Sequence, residues 1–297
     1  MSKMTTIIGA LVLLLVGGAY WAAGRPESVG ARNRPAQVDP VDAVLEQLNK
    51  KTRQLRSYQC QIEHKYVQPL LESQAIRKGV LYYMRSEGKS ALRVNFETLQ
   101  QEDEKEQKAV EQYIVLDGTL LNHRDRQFKG IWLVHIDYRM EEVKYYQLAE
   151  PEDPNKTMDV FELASKNLPM LGFTKTEELK KQFEVELIGQ KNPEAGDFTQ
   201  VRLKVKPNSV YKDDFLSIDF WIDKKVGLPA KVRATKIEPE PPNGDIEEIK
   251  FLKPKVNKDI DQKVFEFKIP KDFGEPEIKP LPEKGKQQPH GSGNSDR

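Results

Sequence analysis

Apolar and polar residues alternate with a period of two along most of the chain from Tyr58 onward. Tyr58, Cys60, Ile62, His64 and Tyr66 alternate with Gln59, Gln61, Glu63 and Lys65, the pattern of a strand with one dry and one wet face. The alternation returns in Leu92, Val94 and Phe96, in Ile114 and Leu116, in Phe128, Gly130, Trp132 and Val134, and in Val201, Leu203 and Val205. It continues in Leu216, Ile218, Phe220 and Ile222, then Val232 and Ala234, then Ile249 and Phe251, and finally Phe265, Phe267 and Ile269. Parallel sheets are buried on both faces and need crossover helices. Strands with a polar residue at every second position and short connections therefore predict antiparallel pairing. Asp117-Gly118, between two such strands, predicts a tight hairpin. His64 falls on the dry face, where a half-buried histidine with its hydrogen bonds satisfied is expected.

Two regions follow a helical period instead. Pro40 opens the first, with Asp39 as its cap and Val41, Val44, Leu45, Leu48 and Leu55 on one stripe up to Ser57. The second runs from Met158 through Phe183, with Phe161-Glu162-Leu163-Ala164 before Asn167 and Pro169, and Thr176 positioned to cap Glu177 to Phe183. The charge run from Gln100 to Gln112 predicts a solvated loop or a short exposed helix and is assigned no chemistry.

Domain organisation follows from the ends. Lys3 precedes the apolar run Thr5 to Ala23, and the chain turns polar at Gly24 and Arg25, the layout of an export signal. Residues 1–24 are thus a signal peptide cut before Arg25, with small residues at Ala22 and Gly24, or a retained membrane anchor, since about 18 apolar residues reach the lower limit for one span. Residues 25–38 have the composition of a flexible linker, residues 39–278 form one β domain, and residues 279–297, rich in proline, lysine and glutamine, are expected to be disordered. The protein is expected in the periplasm, soluble or tethered to the inner membrane.

Composition narrows the function classes. Lys and Arg number 47 against 46 Asp and Glu, a formal charge of +1, so no excess of cations faces phosphate backbones and no nucleic-acid partner is expected. The one cysteine, Cys60, is expected to be a small buried hydrophobe. Gly88-Lys89-Ser90 resembles the end of a nucleotide loop, but Tyr83 stands where its first glycine is required. No G-x-S-x-G elbow, H-E-x-x-H helix or paired-cysteine zinc spacing occurs. His123 with Asp125 and His135 with Asp137 are each spaced i,i+2, so on a strand either pair could form part of a metal or acid/base site. A hydrolase would require a carboxylate and a second histidine within hydrogen-bond reach of one of these. The expectation is a non-enzyme without cofactor or resident metal.

Several segments resemble the outer-membrane lipoprotein carrier (LolA) family. Gly79-Val80-Leu81-Tyr82-Tyr83-Met84-Arg85 is similar to that family's strand ending in Lys-Arg-Pro, and Leu92-Arg93-Val94-Asn95-Phe96 resembles its F-R-W-x-Y strand. Tyr113 to Leu121 resembles its strand and Asp-Gly hairpin, Phe161 to Ala164 lies where it has a central helix, and Val264 to Pro270 resembles its closing F-x-F-x-x-P strand. Met84, Ser86 and Val94 depart from the pattern. The resemblance implies a mainly β (α+β) fold, a strongly curved antiparallel sheet forming an open half-barrel capped by a few α-helices. It also implies a monomeric binder of lipid or acylated protein that exchanges cargo with an inner-membrane release complex or an outer-membrane acceptor. The lining is then expected from Leu81, Tyr83, Leu92, Val94, Phe96, Trp132, Leu203, Phe220 and Val232, with Leu163, Leu168 and Leu171 on a lid that Arg85 helps to hold. The alternative implied by the same resemblance is an envelope sensor or adaptor of the RseB-like type, in which lipid occupancy controls a protein contact.

Overall fold

The computed structural model describes residues 39–86, 89–121, 127–150, 176–188, 196–239 and 243–281. Helix α1 (Pro40–Arg53) starts as its sequence requires: the Asp39 side chain accepts a hydrogen bond from the Val41 amide at 3.0 Å and proline occupies the first turn. It buries Leu45 and Leu48 and ends with Lys50, Lys51 and Arg53 in its last turn, where cations suit the carbonyl end of the dipole. Helix α2 (Thr176–Gln182) lies against it, with Leu179 buried and Lys180 paired to Asp42. No helix among the described residues is long and apolar enough to cross a membrane.

The strands among the described residues form one sheet. A first meander contains β1 (Ser57–Gln68), β2 (Ser73–Ser86), β3 (Lys89–Gln101), β4 (Gln107–Asp117), β5 (Ile131–Asp137) and β6 (Glu142–Ala149). A second contains β7 (Phe183–Ile188), β8 (Phe198–Val205), β9 (Phe215–Asp223), β10 (Pro229–Lys236) and β11 (Ile246–Val256). Antiparallel pairing of β1 with β11 joins the meanders, and β12 (Glu277–Lys279) adds to the far edge. The order is β12-β6-β5-β4-β3-β2-β1-β11-β10-β9-β8-β7, twelve strands that do not close. The fold is therefore the mainly β open half-barrel with a helical cap. Bulges at Gln59/Gln61, Lys78/Gly79, Phe96/Thr98 and Thr235/Lys236 supply local bends. Gly79 is required at one of them, because a Cβ there would lie 1.9 Å from the Asn95 carbonyl oxygen.

Two apolar clusters lie on opposite faces. The inner face carries Cys60, Ile62, Leu81, Tyr83, Leu203, Phe220 and Val232 among others, beneath Leu45 and Leu48. The outer face carries Ile114, Leu116, Phe128, Trp132, Val134, Ile136 and Tyr145 across β4 to β6. Along β8 to β11 and β1 the outer face is polar instead, laced by Arg202–Asp219, Arg233–Glu248 and Lys250–Glu63 ion pairs.

The outer cluster is roofed by the C-terminal segment, where several expectations are corrected. Residues 264–270 are not a strand: a 3-10 turn (Gln262–Phe265), capped by Asp261, leads into an extended strap. Phe267, Ile269, Phe273 and Ile278 of that strap pack on the outer cluster. Ordered structure also runs past residue 278, since β12 pairs in parallel with β6, Glu277 opposite Lys144 and Lys279 opposite Tyr146. Proline spacing misled here because Pro276 and Pro280 flank a short edge strand, where a missing amide is tolerated. Residues 282–297, the expected export segment and linker (residues 1–38), and residues 158–175 of the expected central helical region lie outside the described residues.

Two connections also differ from expectation. Asp117-Gly118 does not make a two-residue hairpin: Asp117 Oδ1 accepts from the amide and hydroxyl of Thr119, setting up a 3-10 turn (Gly118–Leu120) that begins a longer link to β5. The charge run from Gln100 to Gln112 is neither a loop throughout nor a helix, because β3 and β4 extend through it and turn only at residues 102–106.

Arg93, 8% exposed, fastens the strap. Its Nη1 donates to the carbonyls of Val264 and Glu266, both at 2.6 Å, its Nη2 to Gln112 Oε1 at 2.9 Å and its Nε to Asn95 Oδ1 at 2.7 Å. Charge-assisted bonds of this kind are worth roughly 1.5–3 kcal/mol each when a partner is lost. Arg93→Ala should lower unfolding free energy by about 2–4 kcal/mol and raise amide exchange across residues 262–281 first. Unchanged exchange in that segment would show that the strap is held by its aromatic residues alone.

Candidate functional site on the inner face

The inner face changes character along the strands. Down β1 the inward side chains are Tyr58, Cys60 and Ile62, then His64 and Tyr66. Down β2 they are Tyr83, Leu81, Gly79 and Arg77, because directly paired residues share a face. On β4, Val115 and Tyr113 give way to Glu111, and on β5 Leu133 gives way to His135 and Asp137. On β11 and β10, Phe251 with Ile249 and Val232 with Ala234 give way to Glu247 and Lys236. An apolar floor therefore ends in a band of polar groups, at the end of the sheet away from the α1 C-terminus.

Glu111 is the hub of one half of this band. Its Oε1 lies 2.8 Å from His135 Nε2 and accepts the Tyr113 hydroxyl at 2.5 Å, while its Oε2 accepts Arg77 Nη1. The imidazole of His135 stacks on the Tyr113 ring, centroids 4.5 Å apart and 9° from parallel. His135 is 2% and Glu111 6% exposed. Burial alone would raise the Glu111 pKa, but the His135 hydrogen bond, the Arg77 charge and the Tyr113 hydroxyl outweigh it and hold the carboxyl below its ordinary value. Burial, and then the same carboxylate, push the Tyr113 phenol well up. Asp137 faces this group but is occupied locally, its Oδ1 accepting from the amides of Arg139 at 2.9 Å and Met140 at 3.0 Å.

Across the centre of the sheet, Lys236 Nζ pairs with Glu247 Oε1 at 2.7 Å, and the Tyr66 hydroxyl donates to Asp245. His64 stands between the halves, opposite Arg77 on β2 and Ile249 on β11, with its ring 6.1 Å from Phe96. Its Nε2 is cut off from solvent and has no hydrogen-bond partner among the described residues. The expectation of a satisfied histidine is corrected on that atom. Desolvation lowers the His64 pKa.

The structure couples His135 to Glu111 across the ladder rather than to Asp137 along the strand, which replaces the i,i+2 pairing. Ligand atoms of Glu111, His135 and Asp137 lie within 4.8 Å of one another. They do not suit a cation, because both Glu111 oxygens already accept hydrogen bonds and the Arg77 guanidinium sits against them. The hydrolase condition is met by one carboxylate but by no second histidine in reach among the described residues, His123 lying outside them. A shallow pocket opens beside the hub, lined by Arg77, Leu99, Ala109, Val110, Glu111, Asp137 and Arg139.

Of the residues expected to line a ligand site, Leu81, Tyr83, Leu92, Phe96, Leu203, Phe220 and Val232 meet in the inner cluster, with Val94 packed at its margin. Trp132 does not join them. It belongs to the outer cluster, donating from Nε1 to the Lys129 carbonyl at 2.9 Å. Every side chain of β5 is buried, so its apolar residues lie on both faces and periodicity cannot say which set points inward. Leu163, Leu168 and Leu171 lie outside the described residues. Arg85 is at the opposite rim, where its guanidinium donates to the Arg53 carbonyl at the end of α1. Cys60 is buried on the inner face, and burial pushes its thiol up to about 12.

No known protein-family model and no curated protein matches the sequence. Among solved structures, the chain is similar to a DUF1329 family protein from Desulfovibrio piger, with 10% identity, 77% of this chain and 98% of that one covered, and a TM-score of 0.39. A putative outer membrane lipoprotein-sorting protein domain from Vibrio parahaemolyticus is 12% identical over 76% of this chain and 97% of its own, with a TM-score of 0.37. The MucA/MucB complex of Pseudomonas aeruginosa matches at 14% identity over 77% of this chain and 62% of that chain, TM-score 0.38. These likenesses are distant. At such values the chemistry of the inner face is read from its own residues.

Acid sensitivity tests the hub. A carboxyl held below its ordinary 4.5 contributes stability that is complete above that value and is lost as pH falls through the folded-state value. Glu111→Gln should cost about 2–4 kcal/mol at neutral pH, leaving Arg77 unpaired, and should lose stability less steeply than wild type below the ordinary glutamate range. Urea titrations across that range decide it. Parallel curves would place the acid sensitivity elsewhere.

Proposed function

We propose that the inner face is a binding surface for the acyl chains of a lipid or lipoprotein, and that the protein is an exported, non-catalytic carrier in the periplasm. The observation that supports this best is the continuous, buried apolar floor of an open sheet, running from β6 to β7, onto which the described helices pack Val41, Val44, Leu45, Leu48 and Leu179. Acyl chains on such a floor gain roughly 0.8 kcal/mol for each buried methylene. Leaving a bilayer costs about as much, so cargo arrives from an inner-membrane release complex and passes to an outer-membrane acceptor. The N-terminal segment exports the chain, cut or retained as a tether.

A second reading, an envelope adaptor whose protein contact follows lipid occupancy, draws on one feature. Leu70 and Leu71 at the β1–β2 tip are 61% and 54% exposed, beside the acidic turn Glu102, Asp103 and Glu104, which the Glu102 amide ties to Gln74 at 2.8 Å. Apolar side chains displayed in an acidic collar suit a protein contact.

Native mass spectrometry with lipid extraction, on full-length protein expressed with export to a bacterial periplasm, tests the carrier reading. Lipid or acylated peptide should co-purify. Val94→Trp, at the margin of the floor, should lose most of it while its Tm stays within about 5 °C of wild type. If the floor is packed solid instead, no lipid is found in either protein and the added indole costs about 1–3 kcal/mol by overpacking.

A further inference from the structure

His64 marks the boundary between the apolar floor and the polar band, on a strand in the middle of the sheet. Ile62 precedes it on the same face and Tyr66 follows it. Buried nitrogens nearly always have a partner, and an unmet one weakens the folded state. Its Nε2 is such an atom. Desolvation keeps the ring neutral, so one nitrogen can donate and the other accept.

The charges that face His64 are Arg77 from β2, Glu111 from β4, Glu247 from β11 and Lys236 from β10. They are already matched, Arg77 with Glu111 and Lys236 with Glu247. A buried anion arriving here would find no unmatched cation among these four groups, and an unpaired buried charge is heavily disfavoured. An uncharged group with a hydroxyl, ester or amide would find a vacant hydrogen-bonding nitrogen at the end of an apolar track.

We propose that His64 selects the head of the bound amphiphile, favouring an uncharged, hydrogen-bonding head such as an acylglycerol or an N-acyl amide over a fatty-acid carboxylate or a lipid phosphate. This rests on the acyl-binding reading above and assigns its specificity. The matched ion pairs on either side exclude the charged heads, and the imidazole rewards the neutral one.

The test is displacement of an apolar fluorescent dye from the full-length, delipidated protein at neutral pH by monopalmitoylglycerol and, separately, by palmitate. Monopalmitoylglycerol should bind about tenfold more tightly, the equivalent of one well-made hydrogen bond. His64→Phe, which keeps a ring but no nitrogen, should abolish that preference, read as the ratio of the two ligands' affinities in the same variant, and His64→Gln should restore part of it. Equal or tighter binding of palmitate, or a preference that survives His64→Phe, overturns the assignment while leaving acyl binding intact. Failure of dye and both ligands to bind would instead remove the acyl-binding reading itself, and the assignment with it.

Discussion

The ladder between β1 and β11 is the seam that makes one sheet out of two meanders. Its partners are far apart in sequence, Tyr58 opposite Val256 and Val67 opposite Ile246, so the loop-closure cost is met before the reward of pairing arrives. Asn257 finishes the seam: its Oδ1 accepts the Arg56 amide at 2.7 Å and its own amide donates to the Ser57 carbonyl at 2.8 Å. It does so at a positive φ of 52°, which asparagine tolerates better than most side chains. Without this seam the inner floor would be two half-floors, and His64 would lie at an edge rather than at the centre.

The polar band follows from that continuity. Charged residues on a buried face need partners, and the ion pairs here cross strands. Arg77 reaches from β2 to Glu111 on β4, past β3 and the bulge opposite Gly79, while Lys236 reaches from β10 to Glu247 on β11. The backbone approach that only glycine allows thus lies beside the side-chain pairing that fixes the electrostatics. The outer face of β8 to β11 uses the same cross-strand pairing, with partly exposed Arg202 and Arg233 over the buried carboxylates of Asp219 and Glu248.

Strands with one wet face were legible in the sequence, β1, β3, β8 and β10 among them, because solvent enforces a period of two. The period fails where both faces are covered. β5 and β6 are apolar on either parity, which put Trp132 on the wrong side and left β6 unmarked. The strap was misjudged for a related reason: Phe265, Phe267 and Ile269 alternate like a strand, yet they pack across the sheet rather than pair within it. The band was hidden by its composition. Glu111 stands in a run of exposed charges, and only its parity with Tyr113 two residues later distinguishes it from Glu102 or Glu104. Arg77, Glu247 and Lys236 gave no signal of their own, since cross-strand register is a property of the assembled sheet.

The position of the strap at the C-terminal end of the domain also orders events in time. A chain made N-terminus first presents β3 to β6 long before residues 262–281 follow, so Phe128, Trp132 and Tyr145 have no roof while the rest of the chain is still being made. The same holds for β1, whose partner β11 emerges nearly two hundred residues later. Completion of the fold is therefore late: the last segment to arrive covers the outer cluster and adds the final strand at the edge.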